Sequence, residues 1–345
     1  MSSRRDGSDR QLALLLPALA ATLALAVLLS LSSGRYPLPP LEVLQYLAAT
    51  VGAAGMDESR QALIGNLLWD IRAPRIAAAL LVGAALSTSG AAYQAVFMNP
   101  LVSPGLLGVL AGASFGAALG LLLSKSWLLV QLLAFAGGVA AVALALVLAR
   151  VQQDRSLLML ILTGIISAAF FTALLSIVKF LADPINQLPT IVHWLMGSLA
   201  QTDGAVVARM AAPILAGIAI MLVWCKQLDA LAMGEDEARA LGVDVPRVRG
   251  WVIFGATLSS ALTVALAGMV GWIGLVVPHV ARLLVGPQSH RLLPASALLG
   301  GVFLILVDTG ARTLHSAELP LGVLTELIGI PVFVIVLRNA QKAWA

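Results

Sequence analysis

Long apolar runs recur along this chain at the length of a bilayer crossing, and they limit its fold more than any single motif does. The first runs from Leu12 to Leu31. Nine more follow at roughly 74–98, 104–123, 127–149, 157–181, 205–225, 250–267, 269–285, 294–313 and 320–338. About 20 apolar residues carry an α-helix across the hydrocarbon core, and a helix keeps every backbone polar group satisfied there. The expected fold is therefore all-α, a polytopic membrane protein with about ten transmembrane helices. An even number of crossings leaves both termini on one side, read here as cytoplasmic. Composition agrees: 60% of the 345 residues are hydrophobic and 11% charged, against about a quarter charged in soluble domains. Several runs are short or broken. Gly268, Gly271, Gly274 and Pro278 all fall within 250–285. Backbone breaks at membrane depth need protein or a wet cavity around them, so a packed bundle is expected.

Charge gives the orientation. Residues 1–10, with Arg4, Arg5 and Arg10, read as a cytoplasmic tail ahead of a single transmembrane domain over 11–345. A cleaved signal peptide would have a shorter apolar core, although Ser32-Ser33-Gly34 is a passable cleavage site and keeps that alternative open. With the N-terminus inside, Arg35, Arg60, Arg72, Arg75, Lys125, Lys179, Arg209 and Arg312 fall outside. Those are eight of the 21 Lys and Arg residues, so thirteen lie inside. The bias has the direction of the positive-inside rule. The formal charge of +4 is small and dispersed, which fits loops facing anionic lipid better than a nucleic-acid surface. A faint internal echo, Gly90 followed by Pro100 and Gly268 followed by Pro278, hints that segments two to five and seven to ten are related halves.

Several chemistries find no support. The only cysteine, Cys225, excludes an internal disulfide and any CxxC site. The four histidines, His193, His279, His290 and His315, are scattered and form no HExxH, so no metal site is expected. There is no GxxxxGK[ST] loop and no GxSxG elbow, so the chain is not read as an enzyme. An ion-coupled carrier places carboxylates inside the membrane and a cation channel forms carboxylate rings. Few ionisable groups lie within these apolar segments.

Three groups of residues stand out. Arg72 and Arg75 flank Pro74 at the outer start of segment two. A spacing of three puts them on one helix face, and proline suits a first turn. Arg312 ends segment nine on the same side, where a local pair with Asp308 is the plainer alternative to a role at the surface. Between segments six and seven, Gly234–Gly242 reads as a short helix. Glu235, Asp236 and Glu237 occupy its first turn, where the dipole favours acid, Arg239 lies near its end, and Gly242 is a plausible stop. Segment five carries Thr163, Ser167, Thr172 and Ser176, expected to form roughly one mildly polar stripe; back-bonding to i−4 carbonyls is the alternative. Gln94, on a helix rich in small residues, needs a buried partner. His279 and Arg282, one turn apart at the inner end of segment eight, are given a structural or ATPase-facing role rather than metal binding.

These residues also carry a resemblance. The stretches Ile71-Arg72-Ala73-Pro74-Arg75, 81–94, Asn99-Pro100-Leu101, Leu107-Gly108-Val109, Leu195-Met196-Gly197-Ser198-Leu199, 232–242, 274–282 and Glu318-Leu319-Pro320-Leu321-Gly322-Val323 resemble the iron-chelate and cobalamin uptake permeases of the FecCD family. These are membrane subunits of type II ABC importers. The resemblance covers about residues 70–338. It departs at Met98, where many members have Arg, and at Val102-Ser103, where they have Ala-Asp, which puts the substrate subgroup in doubt. It implies a homodimer, or a heterodimer with a paralogue, in the bacterial inner membrane. It implies two cytoplasmic ATPase subunits that use ATP and Mg, this chain binding no cofactor, and a periplasmic substrate-binding protein. Arg72, Arg75 and Arg312 would dock glutamates of that binding protein. Gly234, Glu235, Glu237, Ala238, Arg239, Leu241 and Gly242, within a coupling region over 226–249, would insert into the ATPases. Segments five and ten of two copies would line the path. The implied cargo is a ferric siderophore, haem or cobalamin, with a molybdate-type oxyanion as the alternative.

Overall fold

The computed structural model describes residues 2–52, 55–124, 126–152 and 156–344, with the side chains of 2–16, 337 and 339–344 outside that description. Among the described residues the chain is helical without strands. In order it forms α1 (Ser2–Ser32), α2 (Pro40–Thr50), α3 (Glu58–Gly65), a π-helical turn (Asn66–Arg72) and α4 (Ala73–Val96). After a 3₁₀ turn (Pro104–Leu107) come α5 (Val109–Leu123), α6 (Trp127–Val151), α7 (Leu157–Leu181), α8 (Gln187–Leu195) and α9 (Gly204–Val223). The chain ends with α10 (Cys225–Leu231), α11 (Glu235–Ala240), α12 (Val245–Ala267), α13 (Ile273–Val285), α14 (Ser289–Thr313) and α15 (Leu321–Trp344).

Among the described residues six stretches are long and apolar enough to cross a membrane: Glu58–Val96, Trp127–Val151, Leu157–Leu181, Gly204–Val223, Val245–Ala267 and Ser289–Thr313. Four shorter apolar helices, Pro17–Ser32, Val109–Leu123, Ile273–Val285 and Leu321–Val336, complete the ten expected segments. The expected tail over 1–10 continues into α1, whose backbone is helical from Ser2; its side chains lie outside the described residues. The short helices α2, α3, α8 and α10 were not anticipated, because none is long enough to stand out as an apolar run.

The core is built around α4, which is buried along most of its length. Its small residues permit this, because glycine and alanine let helix backbones approach closely. A Cβ on Gly83 would collide with the Gly300 carbonyl of α14, and one on Gly90 with the Gly274 carbonyl of α13. Ser87 Oγ donates to its own Gly83 carbonyl at 2.6 Å and, across the crossing, to the Ser296 carbonyl at 2.7 Å. The proposed Gly–Pro echo does not survive. Gly90 lies inside α4 while Gly268 ends α12 with φ +72°, and Pro100 lies in a turn while Pro278 lies inside α13.

The bundle has two polar ends. Arg72, Arg75 and Arg312 mark one, where α4 begins and α14 finishes. At the other, Asp229 of α10 caps the start of α14. Its Oδ1 accepts from the Ser289 N–H, and its Oδ2 lies 3.0 Å from His290 Nδ1. The loop carrying α11 therefore lies at the end opposite the three arginines.

Candidate functional site: two polar ends and an exposed helical wall

At the arginine end the structure assembles the three residues singled out from sequence, but it buries them. Arg72 is 4% exposed, Arg75 8% and Arg312 7%. The π-helical turn, with Pro74 following it, carries Arg72 and Arg75 from α3 into α4. Arg75 Nε donates to both oxygens of Asp308, at 2.9 and 3.0 Å, and its Nη1 pairs with Glu318 at 2.9 Å. Arg312 Nε lies 3.6 Å from Asp308 Oδ2. Its Nη2 donates to the Ser30 carbonyl at 2.8 Å and Oγ at 2.6 Å, and its Nη1 to the Ser33 carbonyl at 3.1 Å. Arg72 donates to the carbonyls of Leu31 and Tyr36. Three free guanidinia for another protein's carboxylates are thus not what this conformation offers. A charge buried at a bundle end requires internal partners, and Asp308, Glu318 and the 30–36 backbone supply them. The local Arg312–Asp308 pair is present as part of this larger hub.

At the opposite end, α11 forms where the acidic stretch predicted it. Gly234 enters with φ +129°, and Glu235, Asp236 and Glu237 fill the first turn. Gly242, at φ +80°, closes the helix in a Schellman arrangement: its N–H donates to the Arg239 carbonyl at 2.9 Å, and the Val243 N–H to the Ala238 carbonyl at 3.0 Å. Ala238 is fully buried against the bundle, while Met233 and Leu241 are exposed at the two ends of the helix. Glu235 joins α11 to α12. It accepts from Arg239 at 3.0 Å and from Arg249 at 2.5 Å, while Arg239 also pairs with Asp236 at 3.0 Å. The short helix is thereby fastened to a membrane-spanning one.

The polar stripe expected on α7 splits in two. At about 100° per residue, the five-residue step from Ser167 to Thr172 turns the later pair toward the opposite side. Thr163 and Ser167 are buried, and Ser167 Oγ donates to the Ala141 carbonyl of α6 at 2.6 Å. Thr172 and Ser176 are exposed. Thr163, Thr172 and Ser176 bond carbonyls four residues back, at 3.0, 2.7 and 3.0 Å. Only Thr172 and Ser176 remain candidates for a path, on a face shared with exposed Phe180 and Ile177.

Gln94 finds its partner in Arg282, whose Nη2 donates to Oε1 at 2.8 Å and ties α4 to α13. His279 Nδ1 lies 2.7 Å from the Leu275 carbonyl, and its ring packs edge-on against Phe333 of α15. Among the described residues no three His, Cys, Asp or Glu side chains gather into a metal site. The sequence reading missed Glu326, a carboxylate on the otherwise apolar start of α15. A single acid in a 16-residue apolar stretch (Leu321–Val336) barely lowers its hydropathy.

Ten apolar helices, small-residue crossings and polar caps at both ends define a membrane-spanning permease of the type II ABC importer fold. The model of the FecCD transport family matches residues 22–339, and the chain belongs to that family. It is 38% identical to the molybdate import system permease protein MolB of Haemophilus influenzae, over 94% of this chain and 95% of that one. It is 39% identical to the Fe(3+) dicitrate transport system permease protein FecD of Escherichia coli, over 91% and 95%. A solved structure described as an inward-facing conformation of a metal-chelate type ABC transporter superposes with a TM-score of 0.84 at 36% identity, covering 94% of this chain and 99% of that one.

Proposed function

We propose that the chain is the membrane subunit of an ATP-driven importer that moves an iron chelate (a ferric siderophore or haem) or cobalamin from periplasm to cytoplasm across a bacterial inner membrane. The observation that carries this reading is the exposed wall of α7 and α15. Leu162, Ile166, Phe170, Ile177 and Phe180 on α7, with Leu327, Ile330 and Val334 on α15, face outward and are apolar. Facing each other across two copies, such walls would hold a bulky chelate only weakly and let it pass. The chain has no nucleotide-binding loop, so the driving force must come from partner ATPases using ATP and Mg.

Helix α11 is the proposed contact for those ATPases. Its buried Ala238 side rests on the bundle and its exposed ends, Met233 and Leu241, are apolar anchors for a partner groove. Through Glu235–Arg249, a displacement of α11 would reach α12 as a rigid-body motion. The arginine end is the proposed seat of the binding protein. Guanidinium groups suit the carboxylates of an acidic partner, and Arg72, Arg75 and Arg312 gather them at this end. The arginines hold the loops at 33–39 and 314–320, partly through Arg35 Nη2 donating to the Ser316 carbonyl at 2.9 Å. Direct docking onto the arginines would require those loops to move.

The 38% identity to MolB favours a second reading, in which the same machine imports a molybdate-type oxyanion. The test is reconstitution in proteoliposomes with the ATPase and binding protein encoded beside the gene. ATP-dependent uptake of a ferric chelate or cobalamin is expected. Uptake of molybdate instead selects the second reading. Uptake that persists without ATP and collapses with an ionophore would mean an ion-coupled carrier and end the proposal.

A further inference from the structure

Helix α15 packs against α13 and α14 and leaves the rest of its surface open. Up to Val334 that surface is apolar at Val323, Leu327, Ile330 and Val334, with one exception, Glu326; the exposed Arg338 lies near the other end of the helix. Glu326 is exposed and has no hydrogen-bond or ion-pair partner among the described residues. It lies five residues into the helix, about 7 Å below its start, with apolar turns beyond it. Its Oε1 lies 3.4 Å from where a Cβ on Gly271 would stand. Gly271 belongs to the non-helical break between α12 and α13, which spans Gly268 at φ +72° to Trp272 at φ +64°. An unpaired carboxylate facing lipid tails costs several kcal/mol, and among the described residues no basic side chain pairs with it. The environment that accommodates it without that cost is the water-lined mouth of the path, where irregular backbone is also tolerated.

We propose that Glu326 sets the charge of the cargo: two copies of it place negative potential at the mouth, admitting neutral or cationic chelates and disfavouring oxyanions and polycarboxylate chelates. This rests on the importer reading given above and narrows it. On the open face of α7 the other polar groups are the neutral hydroxyls of Thr172 and Ser176 and, in its last turn, the half-buried Lys179, which is the cation this field works against. The field of an isolated carboxylate acts strongly on a charged solute a few ångströms away in a low-dielectric setting.

The test needs neither nucleotide nor partner proteins. A cysteine replaces Val323, three residues from Glu326 on the same helix face, in full-length chain carrying Cys225→Ser. Right-side-out membrane vesicles are then treated with cationic trimethylammonium and anionic sulfonate methanethiosulfonate reagents. Both are expected to react, with the cationic reagent favoured, and Glu326→Gln should lower the cationic-to-anionic rate ratio about tenfold. Glu326→Asp should preserve the ratio. Should Glu326→Gln fail to fold, Glu326→Ala must produce the same fall. No reaction with either reagent would place the residue in lipid or packed protein and overturn the proposal, as would a ratio indifferent to removal of the charge. Failure of the importer reading would register separately, as absent ATP-dependent uptake with the reactivity ratio intact.

Discussion

Arg75 and Asp308, 233 positions apart in the chain, meet in a forked contact: one guanidinium nitrogen lies 2.9 and 3.0 Å from the two carboxylate oxygens. This pair joins the start of α4 to the end of α14 where both are buried. Removing one member leaves the other under-compensated, Arg75 keeping only Glu318 and Asp308 only Arg312, and breaking a buried pair costs about 3–5 kcal/mol. Asp308→Ala should therefore lower the thermal midpoint of the purified protein sharply, since it strips both Arg75 and Arg312. Replacing Arg75 and Asp308 together by Met and Leu should recover part of the loss. Recovery stays incomplete because Arg312 and Glu318 lose partners too. Thermal unfolding in nanodiscs followed by size-exclusion chromatography reads this directly; a single variant as stable as the parent would show that the hub carries no stability.

The crossings of α4 with α13 and α14 depend on missing side chains. Gly83→Ala and Gly90→Ala each push a methyl group into a facing backbone carbonyl, and backbone cannot yield as a side-chain tip can. Each should cost about 2–3 kcal/mol, in the range of core overpacking. Gly310→Ala is the control, for its nearest neighbour is Leu314 Cδ1 at 3.6 Å, an ordinary contact. That variant should be neutral or slightly stabilising, because alanine is favoured over glycine in a helix interior. The same thermal assay on all three separates close packing from a general sensitivity of glycine positions.

Gln94 and Arg282 provide a test of what a buried amide is for. The guanidinium donates to Gln94 Oε1 at 2.8 Å, and a hydrogen bond to a charged group is worth about 1.5–3 kcal/mol. Gln94→Leu should cost roughly that amount, whereas Gln94→Glu keeps an acceptor facing Arg282 and should be tolerated. Equal losses in both variants would mean that shape rather than the acceptor matters at this position.

Beyond the end of α7, Asp183 organises the turn into α8. Its Oδ2 accepts from Asn186 Nδ2 at 2.6 Å, and its carboxylate also takes the backbone N–H groups of Ile185 and Asn186. The Asn186 side chain first, and then the Ile185 amide, hold this carboxyl below its ordinary value. A carboxyl with a depressed folded value stabilises the turn at neutral pH, and that contribution is lost as pH falls through the folded value. Protection factors across 183–188, which normalise for the intrinsic pH dependence of exchange, should fall on acidification in the parent. In Asp183→Asn they should not change with pH.

The ten apolar segments were legible because a bilayer imposes one length and one polarity on every crossing. The stop of α11 was legible too, since only a glycine accommodates the φ of +80° that Gly242 adopts without strain. What sequence could not give was partnership. Arg75 was recognisable as a charge needing a reason, yet its reason, Asp308, lies at the far end of another helix. The α7 stripe failed on arithmetic that a helical wheel exposes: four hydroxyls with one five-residue step cannot share a face. Glu326 was invisible because averaging over an apolar window erases a single charge.

The coupling reading makes the last prediction, and it turns on Gly242. Proline there requires φ near −65° and removes the N–H, but the position holds φ +80° and donates to the Arg239 carbonyl at 2.9 Å. Gly242→Pro should therefore unravel the end of α11 and move Leu241, while the membrane helices, which do not depend on this cap, insert normally. Arg239→Glu should act from the other side of the same joint, setting a negative charge against Glu235 and Asp236 where ion pairs now stand at 3.0 Å. In proteoliposomes containing the ATPase and binding protein, both variants should retain basal ATP hydrolysis and lose at least about tenfold of the cargo-stimulated component, a loss of 1.4 kcal/mol or more in coupling. Glu235→Ala should have a related effect by releasing Arg249 and with it the link to α12. Full stimulation in Gly242→Pro, with the altered helix end verified by hydrogen exchange, would mean that force does not pass through α11.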